Sequence, residues 1–180
     1  MIRSSLNKTK EKKKPKEKKL PTKTVWNKIP KEEKVVKVKK LTQAQTKSLL
    51  KKWVNKLDIL MSKYIRMKYA GKDGMVECVS CGKILHWKEC HCAHYIKRAK
   101  MWTRFLEENL NVACPYCNTY NQEFHMKMYT IKLIKQFGLA FVEELIILGN
   151  NIKQRKVYEL EELYEKYKPL VKKLEWSLHV

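Results

Sequence analysis

The chain has 180 residues and carries 40 Lys+Arg against 18 Asp+Glu, a formal net charge of +22. That length allows one modest domain with a tail, and the charge imbalance points to a polyanionic partner. No apolar run reaches the roughly 18–20 residues of a membrane span, and Met1-Ile2-Arg3-Ser4-Ser5 leads into lysines rather than a signal core.

Residues 1–40 hold 15 Lys and one Arg against four Glu, a net +12, and few large apolar side chains. Such a stretch cannot offset its ordering entropy, and a disordered basic arm that neutralises phosphates is expected. From Thr42 the pattern changes. Thr42-Gln43-Ala44-Gln45 fits a capping box. Leu49, Leu50, Trp53, Val54, Leu57, Leu60, Met61, Tyr64 and Ile65 then recur at helical spacing until Gly71 and Gly74. An amphipathic helix over 41–74, packed on the rest, is predicted. Residues 75–137 read as a compact core: short apolar pieces at Met75-Val76, Ile84-Leu85 and Asn109 to Ala113, then helical spacing through Phe124, Met128, Ile131 and Ile134 up to Gly138. Residues 138–180 read as helices, Leu139 to Leu148 and one from near Lys156 with Leu160, Leu163, Tyr167, Leu170 and Leu174 inward. Pro169 should kink or split the last one. The fold class is α+β, mostly helical.

Residues 75–121 hold all six cysteines. That number in this length is sparse for a disulfide scaffold, so reduced thiols and an intracellular, cytoplasmic setting are expected. Cys78-Val79-Ser80-Cys81-Gly82 and Cys114-Pro115-Tyr116-Cys117-Asn118 are two C-x2-C units. Each tight turn aims two thiolates at one point, and together they complete a tetrahedral Zn2+ site. Four protein ligands close that metal to substrate, so the zinc is read as structural. Cys90 and Cys92 lie too close together for a knuckle and read as core cysteines.

Between the knuckles stand Cys92-Ala93-His94-Tyr95 and, five residues before Cys114, Asn109; Asn118 follows the second knuckle. A His, an Asn and a further His or Asn in this order is the HNH arrangement. Phosphodiester hydrolysis needs a base to deprotonate water, which an imidazole supplies near neutral pH. It also needs a divalent cation at the leaving 3′ oxygen.

The set Cys78-x-x-Cys81-Gly82, Trp87, Ala93-His94-Tyr95, Arg104-Phe105, Glu108-Asn109, Cys114-x-x-Cys117-Asn118 and Tyr129 resembles the phage NinG/Rap family of recombination endonucleases, within the HNH (His-Me finger) superfamily. The likeness spans roughly residues 54–175, with the arm outside it. It implies a zinc-braced ββα-metal, treble-clef-like core flanked by helices, and cleavage of branched DNA such as Holliday junctions or D-loops. It also implies His94 as general base, Asn109 as a loop brace, and Asn118 as a ligand of a catalytic Mg2+ or Mn2+. Many HNH enzymes have Asp where Ala93 stands here. His125, near the place of a family Gly-Asn, reads either as a second ligand of that cation or as a surface helix residue. His91 is discounted, because strand alternation points it away from His94.

Lys97, Arg98, Lys100 and Arg104 follow the base and are expected to meet DNA phosphates. Trp102 and Phe105 interleave with them, as stacking residues or as core. A metal-dependent DNA endonuclease is the resulting expectation, with a homodimer as one route to symmetric cutting. The alternative is a non-catalytic zinc-finger protein that binds structured DNA; an RNA-binding zinc protein would leave His94 and Asn118 without a role.

Overall fold

The computed structural model describes residues 41–178; the basic arm and His179 lie outside the described residues. From Leu41 onwards the chain forms one compact unit. Helix α1 (Gln43–Lys68) opens on the capping box read from the sequence: the Gln45 N–H donates to the Thr42 side chain, and the Thr42 N–H donates to Gln45 Oε1. Its buried stripe of Val54, Leu57, Met61, Tyr64 and Ile65 packs against α5 (Val157–Ser177). Trp53 meets Tyr164 edge-on at 5.6 Å, and Tyr64 meets Tyr167 at 4.9 Å.

Two antiparallel hairpins follow. β1 (Met75–Glu77) pairs with β2 (Ile84–His86), and the first C-x2-C unit forms the turn between them. Gly82 has φ +72, a conformation that side chains with a Cβ rarely adopt. β3 (His91–His94) pairs with β4 (Leu110–Ala113), His91 opposite Ala113 and His94 opposite Leu110. Both faces of this hairpin are covered, which is why all of β4 is buried. Cys92 and Val112 face the cluster of α1 and α5, whereas Ala93 and Ala113 face a second cluster with Tyr129, Leu133, Val142 and Leu145.

That second cluster is carried by α3 (Gln122–Phe137) and α4 (Leu139–Gly149), separated by Gly138 at φ +89. A five-residue helix, α2 (Pro115–Thr119), links β4 to α3.

Three expectations are corrected here. The inward face of α3 is His125, Tyr129 and Leu133; the predicted Phe124 and Ile131 are exposed. Both stripes have helical spacing, and the edge-on contact of Tyr129 with Tyr95 accompanies the one that faces inward. In α5, Val171 is buried and Leu170 exposed. The helix also continues through Pro169. The carbonyl that Pro169 leaves without a donor belongs to Glu165, and both residues are exposed, so water can satisfy it. Packing on α1 either side of the proline then outweighs its cost of about 3 kcal/mol. No helix among the described residues is long and apolar enough to cross a membrane.

Candidate functional site

The ligand atoms of Cys78, Cys81, Cys114 and Cys117 lie within 4.8 Å of one another. A tetrahedral site with Zn–S bonds near 2.3 Å places its sulfurs about 3.8 Å apart, and Cys81 Sγ and Cys114 Sγ are 3.9 Å apart. The Cys114 N–H donates to Cys78 Sγ at 3.2 Å, and the Cys117 N–H donates to Cys114 Sγ at 3.4 Å. Burial pushes the Cys78 thiol up. Backbone N–H groups of Cys81, Cys114 and Ser80 outweigh it and bring the thiol down to about 7. Burial instead raises the Cys81 and Cys117 thiols. Four soft donors at this spacing suit one metal ion such as zinc, whose binding holds them as thiolates. Cys90 and Cys92 stand outside this cluster, buried in the core beside α1.

Beside the knuckles lies an open cleft of ≈ 840 Å³. His94, at the end of β3, and Asn118, in α2, both line it. So does His125, from the start of α3. His125 is buried, which excludes the reading of it as a surface helix residue. Its Nδ1 is 2.5 Å from the hydroxyl of Ser80, and burial pushes its ring below the ordinary histidine value. Burial, the Arg98 guanidinium and, further off, Arg104 bring His94 down to about 4, against a weaker opposing pull from Asp58. At neutral pH His94 is therefore an unprotonated imidazole. Arg98 Nε stands 3.5 Å from its Nδ1.

Asn109 does not enter the cleft. It is fully buried where the β3–β4 connection rejoins β4. Its Oδ1 accepts from the Ile96 N–H at 2.6 Å, and its Nδ2 donates to the carbonyls of Ile96 and Thr103 at 3.1 and 2.9 Å. One carboxamide thus closes both ends of the segment that follows His94.

That segment carries Lys97, Arg98 and Lys100, all exposed. Arg104 differs from its predicted phosphate-binding role. Its guanidinium forms a two-point ion pair with Asp58 of α1 and donates to the Arg98 carbonyl at 3.0 Å. The half-buried carboxylate of Asp58 holds it in the structure. Phe105 is core. Trp102 carries cations the sequence reading did not place there: Lys153 at 4.3 Å and Arg155 at 4.8 Å from its ring, with Arg155 also donating to the Trp102 carbonyl. Both come from the link between α4 and α5, 51 and 53 residues along the chain, so no local pattern announced them.

His91, discounted on strand alternation, also lines the cleft; its Nδ1 is 3.3 Å from the Asn118 amide nitrogen. It begins β3, where the chain enters from the 3-10 turn at Trp87–Glu89. Arg66 holds that turn, donating to the carbonyls of Trp87, Lys88 and Cys90. No Asp or Glu is among the described residues lining the cleft. The donors on offer to a cation include imidazole nitrogens and the carboxamide oxygens of Asn118 and Gln122. Imidazole nitrogens suit transition-metal ions better than Mg2+, which favours carboxylates and water.

A family model described as bacteriophage lambda NinG protein matches residues 2–176. The match extends through the basic arm, which the sequence reading had left outside the resemblance. No curated protein and no solved structure matches the chain.

Proposed function

The chain belongs to the bacteriophage lambda NinG family, and on that premise we propose that it is a divalent-metal-dependent DNA endonuclease of the HNH type acting on branched recombination intermediates. One observation carries the reading. A neutral, half-buried imidazole, a carboxamide and a second imidazole share one cleft, with Lys97 and Arg98 at its edge. In this reading β3, β4 and α2 correspond to the ββα-metal unit, and the four-cysteine cluster braces it with zinc.

His94 accepts the proton of the attacking water. A base near 4 is weak for this task, since general bases work best with values near the working pH. The DNA phosphate corrects that. Arg98 swings from His94 to the phosphate, and the new negative charge raises the basicity of the ring at the moment of use. Asn118 and His125 are the residues that would hold the cation. When bound, the cation stabilises charge on the leaving 3′ oxygen. Lys97 and Lys100 hold flanking phosphates, and Lys153 lengthens the cationic wall. Asn109 keeps the whole segment in register. A homodimer would supply the two sites that symmetric cutting of a junction requires.

The test is cleavage of a labelled four-way junction, D-loop and plain duplex with Mn2+ or Mg2+ and an EDTA control. His94→Ala should abolish cutting while zinc content and DNA affinity stay near the parental values. Cutting by His94→Ala at the parental rate would overturn the mechanism. The lack of a carboxylate in the cleft favours a second reading, a non-catalytic zinc protein that binds branched DNA. Tight junction binding without metal-dependent cutting in any of these substrates would establish it instead.

A further inference from the structure

Ser80 lies inside the first cysteine knuckle, between Val79 and Cys81, and is buried. Its Oγ is 2.5 Å from Nδ1 of His125 and 3.5 Å from the carbonyl oxygen of the same residue. A carbonyl oxygen can only accept, and a serine hydroxyl has one proton to give. Both contacts are satisfied together in one arrangement alone: Ser80 donates to the carbonyl, and Nδ1–H of His125 donates to Oγ. The proton then sits on Nδ1, and Nε2 keeps a bare lone pair. The reverse assignment puts the proton on Nε2 and leaves the ring with nothing to offer a cation.

We propose that Ser80 is a positioning residue that fixes the tautomer and ring orientation of His125, presenting Nε2 to a divalent cation in the cleft. This rests on the reading of His125 as a ligand of that cation. It extends that reading to a residue outside the His-Asn-Asn set, and it links two centres. The backbone N–H of Ser80 helps to lower the Cys78 thiol, while its side chain contacts His125. One residue of the knuckle therefore serves the cysteine cluster with its main chain and the cleft with its hydroxyl. Partners of this kind, which receive the other ring N–H of a ligating histidine, alter metal affinity by about 10–100-fold when removed.

The experiment uses the full chain loaded with zinc. Mn2+ is titrated in, and the free ion is followed by its electron paramagnetic resonance signal. Ser80→Ala should weaken Mn2+ binding by about 10–100-fold, His125→Ala should weaken it at least as much, and Ser80→Thr, which keeps the hydroxyl, should bind like the parent. Long-range proton–nitrogen correlations of the His125 ring, recorded without Mn2+, should place the proton on Nδ1 in the parent and on Nε2, or on both in exchange, in Ser80→Ala. A proton on Nε2 in the parent overturns the proposal. So does parental Mn2+ affinity in Ser80→Ala when His125→Ala is weakened. Unchanged binding in His125→Ala removes the ligand reading itself, and the role of Ser80 with it. If Ser80→Ala loses its zinc and unfolds, the parental tautomer and the Ser80→Thr affinity decide alone.

Discussion

As the proposed general base, His94 would have an unusual pH signature. An ordinary imidazole near 6.5 would be about one-tenth unprotonated at pH 5.5, with a matching loss of rate. Burial and the neighbouring Arg98 hold His94 at about 4. The ring of the free protein therefore stays in its basic form down to that value. kcat/KM reports the free enzyme, so it should be flat between about pH 7.5 and 5.5. A pH profile of junction cleavage checks this, and a tenfold fall by pH 5.5 would mean that Arg98 does not depress the base. Asn109 offers a test of the loop apart from the chemistry. Its three hydrogen bonds to Ile96 and Thr103 are made by a fully buried side chain, and Asn109→Ala leaves the Ile96 N–H without its acceptor. A loss of about 2–3 kcal/mol is expected in urea unfolding, with cleavage falling further than stability alone explains. The positions of His94 and Asn109 in the chain were legible because the two cysteine pairs bracket them, and that of Asn118 because it directly follows the second pair. Arg104 was misread because charge and proximity to His94 say nothing of Asp58, which reaches it from α1. His91 was misread because alternation within β3 ignores how the strand is entered.

At the scale of elements, Glu107 ties three parts of the fold together. It precedes β4 and accepts from Tyr167 of α5 at 2.7 Å, Tyr64 of α1 at 3.3 Å and Lys68 of α1 at 2.5 Å. Burial raises its carboxyl, but hydrogen bonds from Lys68 and Tyr167 outweigh this and bring it below the usual value. A carboxyl depressed in the folded state adds stability above its unfolded value, about 4.3, and loses that stability as pH falls through the folded one. Glu107→Gln should cost about 1–2 kcal/mol at pH 7 and should flatten the decline in stability below pH 4.3; urea unfolding across pH reads both. The cysteine knuckles act in the same joining way, since one pair sits on the β1–β2 turn and the other at the start of α2. Cys117→Ser should therefore lose zinc and loosen Asn118 with it, seen as lost metal content and lost cleavage together. The capping box, the knuckle turns, the strands beside them and the break at Gly138 were legible, because each is set by local chemistry. The rotation of α3 by one residue and the survival of α5 through Pro169 were not. Both depend on what the helix packs against, and local periodicity carries no record of it.

For the whole molecule, the proposed function makes charge decide how it would meet nucleic acid. Residues 1–40 hold a net +12 of the total +22, residues 41–140 a net +10, and residues 141–180 none. Cationic side chains at the cleft come chiefly from the middle third, so on the proposed function the charges of residues 1–40 and of the cleft would contribute to DNA binding separably. Each phosphate neutralised adds roughly 0.9 to the slope of log affinity against log salt, and six to ten contacts would lower affinity by about 10³–10⁵ between 50 and 200 mM salt. Removing residues 1–40 should reduce that slope and weaken binding to linear and branched DNA alike, because an arm of lysines reads phosphate density and not geometry. Cutting that depends on His94 should persist in the shortened chain once DNA is saturating. Fluorescence anisotropy over a salt series, run on a junction and on a duplex of equal phosphate number, measures both slopes. If the shortened chain keeps the full salt dependence, the arm makes no phosphate contacts and the cleft carries all of the binding. If it loses preference for the junction while keeping affinity, branched-DNA selection resides in the arm, and the cleft is only the blade.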